Sequence, residues 1–273
     1  VVINAQSATD GGNNVPDGMW LFGGEGVSCL FTANDTLTAN LTCATLQIES
    51  GATVVTDEYS INVTGDADIN GTLNASLGGD QWFGSMLVNS GGTYEATSDT
   101  TTISGDMVNE GTFTHSNGDV TLDADAQQRI RDNITFYNLT VDNGNGAGVF
   151  IPGAGTTKKT ITIINMLTVN TGKIFSLSSS SNSITYEIVF GNDSQSATVV
   201  NDGTIEPYAG SKTSEQVILR GANPLYPAVF TGNDIDWDNE PDLLTFNISN
   251  LDYQVTAITG GNGISLTLVG DCE

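Results

Sequence analysis

Glycine recurs every twenty residues along the first half of this chain, and the recurrence limits the folds open to it. Each glycine closely follows an aliphatic residue and precedes another apolar side chain within three residues. The glycines are Gly51, Gly71, Gly91 and Gly111, and the apolar residues after them are Val54, Leu73, Tyr94 and Phe113. Related copies recur at longer spacing, at residues 169–174 and 200–205. A period near twenty residues, with short strands between Asn/Gly turns, is typical of a solenoid of stacked β-strands.

Apolar and polar residues alternate from about residue 37 to residue 113, as they do in half-buried strands. No segment shows a convincing helical period over ten residues, so the sequence predicts an all-β chain. A β-sandwich of antiparallel sheets remains an alternative, because alternation alone fits both architectures. A solenoid leaves open strand edges at its two ends, which must be capped or will pair with another copy.

The charge balance restricts the partners of the chain. Acidic residues number 32 against 7 basic ones, which gives a net charge of −25 at pH 7. Nucleic acid and anionic lipid both need Lys or Arg to neutralise phosphate, so neither is an expected partner. The acidity fits a surface kept soluble by like charge, a protein that requires cations or high salt, or one that lives in acid.

Two further features concern membrane insertion and export. No stretch approaches eighteen consecutive apolar residues, so we expect no membrane insertion. No basic segment followed by an apolar one opens the sequence, so we expect that any export signal has been removed.

Three cysteines point to an oxidising environment. Cys29 and Cys43 lie fourteen residues apart on neighbouring predicted strands, which favours an intramolecular disulfide. Cys272 is then left over, for an interchain bond or for another connectivity with one of the first two. The sequence contains no CxxC motif and no Cys/His cluster, so it does not predict a zinc or redox site.

Nine Asn-x-Ser/Thr sequons also fit an exported, glycosylated protein. Some of these asparagines have an alternative role as turn residues. The sequons begin at Asn34, Asn40, Asn62, Asn70, Asn74, Asn133, Asn138, Asn192 and Asn247.

The ends of the chain differ from its middle. Val1, Val2 and Ile3 predict a short strand, either frayed or lent to a neighbouring subunit by β-augmentation. Four of the six prolines lie after residue 206, where the repeat loosens and interior ladder positions exclude proline. The sequence therefore predicts an N-terminal assembly or cap segment at 1–45, a β-solenoid at 46–206 and a C-terminal β extension at 207–273.

A family resemblance rests on two phrases, ITFYNLTVDNG at 134–144 and ITIINMLTVNTGKI at 161–174. With the repeats around them, from about residue 40 to residue 206, they resemble the repetitive β-solenoid regions of bacterial and archaeal surface proteins, both adhesin-like and envelope-forming. The repeated residues are turn and core residues rather than reactive groups. The resemblance implies a right-handed parallel β-helix in an extracellular structural or adhesive protein.

The densest acidic cluster offers a candidate cation site. Alternating carboxylates on an extended segment can share a hard cation such as Ca²⁺; the simpler alternative is a solvated acidic loop. The cluster lacks the central glycine, the spacing and the flanking helices of an EF-hand. Its members are Asp234, Asp236, Asp238, Glu240 and Asp242.

Catalytic readings find little support in the sequence. The few Lys and Arg residues are not arrayed at the repeat period, as a polysaccharide lyase would need. With 32 acids, a carboxylate pair suited to glycoside hydrolysis arises by chance. His115, the single histidine, lies in a turn-like segment. Several aromatic residues are scattered along the chain and not spaced by one repeat, so anchoring in the core or an interface is preferred to a sugar-stacking platform. They are Trp20, Trp82, Trp237, Tyr94 and Tyr208.

These observations predict an extracellular structural protein, without enzymatic activity, that assembles with copies of itself into a filament, sheath or surface layer. A contact between copies that does not close on itself produces such polymers. The alternatives are an adhesin module that binds surface glycans and, less favoured, a carbohydrate-active enzyme. No cofactor is expected beyond a Ca²⁺ ion at the acidic cluster.

Overall fold

Every regular element that the computed structural model describes is a β-strand, and no helix occurs among these residues. The described residues are 2–4, 21–22, 27–144, 148–150, 159–176, 185–206, 216–233, 235, 245–249, 251–252 and 265–269. The all-β class predicted from the sequence is therefore confirmed. The chain divides into two units, Val1–Thr121 and Leu122–Glu273.

The first unit is built from short strands rich in Thr, Val and Ile, which favour the pleated conformation. Its strands are β1 (Val2–Asn4), β2 (Leu21–Phe22), β3 (Ser28–Phe31), β4 (Asp35–Thr36), β5 (Leu41–Cys43), β6 (Thr45–Ile48), β7 (Thr53–Val55), β8 (Ile61–Ile69), β9 (Thr72–Asn74), β10 (Gln81–Val88), β11 (Thr93–Glu95), β12 (Thr100–Ile103), β13 (Met107–Asn109) and β14 (Thr112–Thr114), with β15 (Asp119–Leu122) at the boundary between the units.

Strands of the first unit pair in parallel with strands about twenty residues away. One series runs β2, β5, β8, β10, β12, and a second runs β1, β3, β6, β8, β10, β13. A third runs β4, β7, β9, β11, β14, and it aligns Val54, Leu73, Tyr94 and Phe113. Residues about one twenty-residue period apart in the sequence are thus paired on neighbouring strands.

Alternate side chains of these strands form the core of the unit. Along β8 every second residue is buried except Gly65, which is half-buried, and Ile61, Val63 and Ile69 are at most 1% exposed. Burial of each such side chain contributes about 1.5–3 kcal/mol. The ring of Tyr94 lies edge-on to Phe83, with 5.8 Å between ring centroids, and 5.7 Å from Phe113. These three aromatic rings therefore pack against one another.

The four periodic glycines serve two different purposes at the corners between strands. Gly51 and Gly91 have positive φ values of 86° and 88°, and space is open around both α-carbons. Gly71 and Gly111 instead lie against backbone carbonyl groups of the preceding repeat, too close for a β-carbon. The repeats thus alternate between a left-handed turn and a close backbone approach.

The second unit contains longer strands and longer connections. Its strands are β16 (Gln128–Arg131), β17 (Ile134–Val141), β18 (Val149–Phe150), β19 (Lys159–Val169), β20 (Ile174–Ser176), β21 (Thr185–Phe190), β22 (Thr198–Asn201), β23 (Thr204–Glu206), β24 (Gln216–Gly221), β25 (Ala228–Gly232), β26 (Thr245–Ser249), β27 (Leu251–Asp252) and β28 (Ser265–Val269).

Pairing within the second unit is also parallel. One series runs β17, β19, β21, β24, β26, β28, and another runs β17, β19, β22, β25, β27. A third joins β16, β18, β20 and β23. The described antiparallel contacts are two isolated bridges inside turns, Asn192 with Gln195 and Asn223 with Tyr226.

Parallel pairing extends past both predicted segment boundaries. Across residue 45, β3 pairs with β6, and across residue 206, β22 pairs with β25. The described strands near the two ends of the chain therefore pair in the same way as those in the predicted solenoid range of 46–206.

Candidate functional site

Among the described residues of the first unit, one large aromatic side chain is exposed, that of Trp82. Strand β10 buries Gln81 and Phe83 and turns Trp82 outward, where 41% of its surface is exposed. Register places Asn62 of β8 and Thr102 of β12 beside it on the two neighbouring strands. Parallel strands lie about 4.8 Å apart, so these three side chains share one face.

A shallow cleft of about 400 Å³ opens beside this tryptophan. Its described lining combines the indole with hydroxyl and amide groups and contains no charged side chain. A flat aromatic face next to neutral hydrogen-bonding groups suits a ligand with both apolar and hydroxylated surfaces, such as a sugar ring. The lining residues are Asn62, Val63, Thr64, Trp82, Phe83, Gly84 and Ser104.

Tyr94, the other described aromatic residue of the suggested sugar platform, does not join Trp82. Tyr94 is fully buried and shares a 3.0 Å hydrogen bond with Thr101. Burial raises the pKa of its phenol well above the ordinary value, and the hydrogen bond only partly offsets this rise. Tyr94 is therefore a core residue, as the anchor alternative predicted. Trp20, Trp237 and Tyr208 lie outside the described residues.

Several sequon asparagines tie neighbouring repeats together through their side-chain oxygens. These oxygens accept hydrogen bonds from the backbone or the side chain of a residue one repeat further along. The pairs are Asn34 with the Thr53 N–H (2.9 Å), Asn40 with the Ser60 N–H (3.0 Å), Asn133 with the Thr160 N–H (2.8 Å) and Asn138 with the Asn165 amide (2.7 Å).

Other sequon asparagines bond to residues close by in the chain. The Asn74 and Asn192 oxygens accept hydrogen bonds from Ser76 and Ser194, two residues ahead, and Asn70 donates to Asp68. These bonds confirm the role of these asparagines in turns and corners. For Asn247 the structure describes the backbone pairing with Ile218 and Thr267.

The disulfide favoured by the sequence is present. Cys29 and Cys43 are bonded to each other, with 5.8 Å between their α-carbons, and both side chains are buried. Their strands β3 and β5 belong to successive repeats, so the bond joins one repeat to the next. Cys272 lies outside the described residues, and its interchain bond stays a prediction.

All five predicted calcium ligands, from Asp234 to Asp242, lie outside the described residues. Ile235 is the one described residue within this segment. Across the described ranges, no three His, Cys, Asp or Glu side chains are grouped as a metal site requires. The cation site therefore stays a prediction from the sequence.

His115 lies in a tight turn, as its sequence context predicted. Ser116 and Asn117 have positive φ values of 46° and 62°, and the Gly118 N–H donates to the His115 carbonyl over 2.9 Å. Partial burial lowers the pKa of the imidazole. The imidazole Nδ1 accepts a hydrogen bond from the Asn117 N–H (3.0 Å), which assigns it a local role in the turn.

The predicted assembly strand is a strand within its own chain. Val2 and Ile3 of β1 pair in parallel with Ser28 and Cys29 of β3, while Val1 lies outside the described residues. One edge of β1 is thereby used internally, so a neighbouring subunit would have to pair with its other edge.

Sequence reasoning named Trp82 and Asn62 separately but missed that they are neighbours. The signal was present in their separation of twenty residues, which equals the repeat period. Thr64 lies two residues after Asn62 on β8, and Ser104 directly follows β12. Two side chains that differ by one period lie next to each other on adjacent strands, and this rule would have found the cleft.

Comparison of the chain with family models, curated proteins and solved structures gave no match. The described part of the chain contains no apolar helix of membrane-spanning length. Function is therefore inferred from the geometry and chemistry of the chain itself.

Proposed function

We propose that this chain is an extracellular structural subunit that self-assembles into a filament, sheath or surface layer. The observation that carries the proposal is the parallel, in-register pairing of strands in each unit. Pairing of this kind uses backbone groups, which every chain carries, and repeats of matched length can stack beyond one molecule.

The architecture that best explains this pairing is a right-handed parallel β-helix. In the first unit each repeat contributes to all three parallel series. In one repeat, for example, the long strand β8 belongs to two series and β9 belongs to the third. A β-sandwich is built from antiparallel sheets, so it does not account for these series. The resemblance to surface-protein solenoids agrees with the same reading.

Assembly would use the backbone N–H and C=O groups at the open edges of strands. Within the described part of the chain, β1 pairs with β3 and β28 pairs with β26. Addition of a strand from a second copy at such an edge is a heterologous contact, which repeats to give a fibre or a layer instead of closing. The charge of −25 opposes close approach of copies, so we expect assembly to strengthen with salt or divalent cations.

Proline substitutions at neighbouring positions of β1 test this contact. Successive residues of a strand direct their N–H groups to opposite edges, and proline has no N–H to donate. Of V2P and I3P, one therefore breaks the internal pairing with β3 and the other affects the outer edge. The variant that retains the unfolding midpoint of the parent chain is the outer-edge variant, and its partner is the matched control.

Electron microscopy and sedimentation of both variants give the answer. We expect the parent chain to form polymers and the outer-edge variant to remain monomeric while folded. Polymers of unchanged length in both variants would reject assembly through β1. A parent chain that stays monomeric at every concentration, salt and calcium level would reject the structural function itself.

A further inference from the structure

We propose that Asn62 carries an N-linked glycan whose first sugar packs on the indole of Trp82 and fills the cleft beside it. The inference rests on the extracellular location in the proposed function, because a glycan at Asn62 requires export through a compartment that glycosylates. It does not depend on polymer formation, so the two can fail separately.

The acceptor site is an exposed strand segment. Asn62, Val63 and Thr64 form a sequon on β8, in which Val63 is buried and the other two side chains point outward and are exposed. Both groups that a glycosyltransferase must reach, the Asn62 amide and the Thr64 hydroxyl, are thus on the surface. The same three residues line one side of the cleft.

Asn62 differs in its hydrogen bonding from the other sequon asparagines whose side chains are described. Seven of them use their side-chain amides in repeat contacts or turns, namely Asn34, Asn40, Asn70, Asn74, Asn133, Asn138 and Asn192. Within the described part of the chain, the Asn62 amide makes no such bond. Modification of Asn62 therefore disturbs no contact that holds the repeats together.

Trp82 gives the attached sugar a surface to cover. Asn62 is in register with Trp82 on one side and with Thr42 on the other. The cleft lies on the tryptophan side, where Gly84 adds no side chain and Ser104 adds a hydroxyl group. Contact between the apolar face of a sugar ring and the indole removes exposed aromatic surface from water, which favours this side over the Thr42 side.

The covalent step needs a lipid-linked sugar phosphate or pyrophosphate as the donor. The Asn62 Nδ2 forms a bond to the anomeric carbon of the sugar while the bond from that carbon to the phosphate oxygen breaks. The lipid phosphate or pyrophosphate leaves with the electron pair, and a base of the transferase takes one amide proton. No oxidant or reductant is involved.

Peptide mapping of the protein isolated from its own cells tests the first half of the proposal. We expect the peptide that contains Asn62 to carry a glycan, and the T64A and N62Q variants to lose it. T64A retains the asparagine, so agreement between the two variants assigns the effect to the sugar. An unmodified Asn62 would overturn the proposal, whether or not other sequons are occupied.

Tryptophan fluorescence tests the contact with Trp82. In a W20F/W237F background the emission reports Trp82, and we expect acrylamide to quench it about twofold more strongly in T64A than in the glycosylated chain, because the sugar shields an exposed ring. T42A is the matched control: it removes the sequon at Asn40 on the opposite neighbouring strand and should leave the quenching unchanged. Equal quenching with and without the Asn62 glycan would overturn the packing on Trp82.

Discussion

Gly71 approaches Ala52 so closely that a β-carbon on Gly71 would lie within 3.0 Å of the Ala52 carbonyl oxygen. That carbonyl accepts a hydrogen bond from the Thr72 N–H over 2.8 Å, which holds the two repeats together at this corner. Gly51, one repeat earlier, has open space around its α-carbon and a φ of 86°. The same residue type thus serves packing at one corner and backbone conformation at the next.

We expect G71A to destabilise the chain more than G51A. The added methyl group at Gly71 forces backbone apart, at a cost of about 3 kcal/mol, the upper range for overpacking. At Gly51 the change costs about 1 kcal/mol, because it strains only the left-handed conformation. Denaturant unfolding of both variants measures the two costs, and equal losses would show that the close approach at Gly71 relaxes freely.

This alternation explains what the glycine period could and could not predict. The period predicted the strand register, because Val54, Leu73, Tyr94 and Phe113 do align. The aliphatic residues that precede the glycines do not all align. Val88 would be expected to pair with Val108, but it pairs with the buried Asn109, one residue further along. A left-handed turn and a close approach both select glycine, so the sequence alone does not show that one corner is two residues longer than the next.

The sequence analysis did not identify a second set of periodic glycines, which occupy equivalent positions in successive repeats. Gly65, Gly84 and Gly105 each lie against backbone of the preceding repeat, where a β-carbon would collide with a carbonyl oxygen. Their spacing of about twenty residues was a readable signal. In the second unit, by contrast, the separation of paired residues varies from 20, as in Thr245 with Ser265, to 32, as in Met166 with Thr198. Variable connections hide the register there.

Removal of the disulfide should cost about 3 kcal/mol of unfolding free energy, the value expected for a closed loop of about fifteen residues. Cys29 and Cys43 are both buried, so the C29A/C43A variant leaves small apolar side chains in their places. Thermal unfolding of this variant, compared with the parent chain with and without reductant, gives the measurement.

C272A is the matched control for the disulfide, because it removes a cysteine but leaves the Cys29–Cys43 bond. We expect its unfolding midpoint to match that of the parent chain. Loss of a covalent dimer band in C272A on non-reducing electrophoresis would support the predicted interchain bond. A C29A/C43A variant as stable as the parent would show that the bond adds nothing to the fold.

Tyr94 should make the chain lose stability in alkali. Its pKa in the folded state is raised by burial, whereas unfolding returns it to about 10.0. Above that pH the unfolded chain releases a proton that the folded chain keeps, so the free energy of unfolding falls as pH rises. Y94F removes this dependence, and urea titrations between pH 8 and about pH 11 measure it.

At neutral pH, Y94F should cost about 1 kcal/mol, because Thr101 is buried and loses its partner. The Y94F/T101V double variant should recover part of that cost, since neither polar group then remains. Y226F controls for removal of a hydroxyl group at an exposed tyrosine. An unchanged alkaline slope in Y94F would contradict the role of Tyr94.

Glu187 links three neighbouring strands of the second unit. Its carboxylate accepts hydrogen bonds from Arg220 Nε over 2.6 Å and from the Thr160 hydroxyl over 3.2 Å, and its side chain is 8% exposed. Removal of the guanidinium in R220M leaves a buried charge without its cation, and we expect a loss of about 2 kcal/mol, discounted because Arg220 itself is 35% exposed.

The E187Q/R220M double variant should regain most of that loss, because the buried charge is then absent. K173M is the matched control: Lys173 and Asp142 form a more exposed pair at 3.6 Å, and its removal should change the unfolding free energy by less than about 0.5 kcal/mol. Denaturant unfolding of the three variants decides between charge burial and simple loss of packing. If packing of the arginine stem were the main contribution, the double variant would be no more stable than R220M alone.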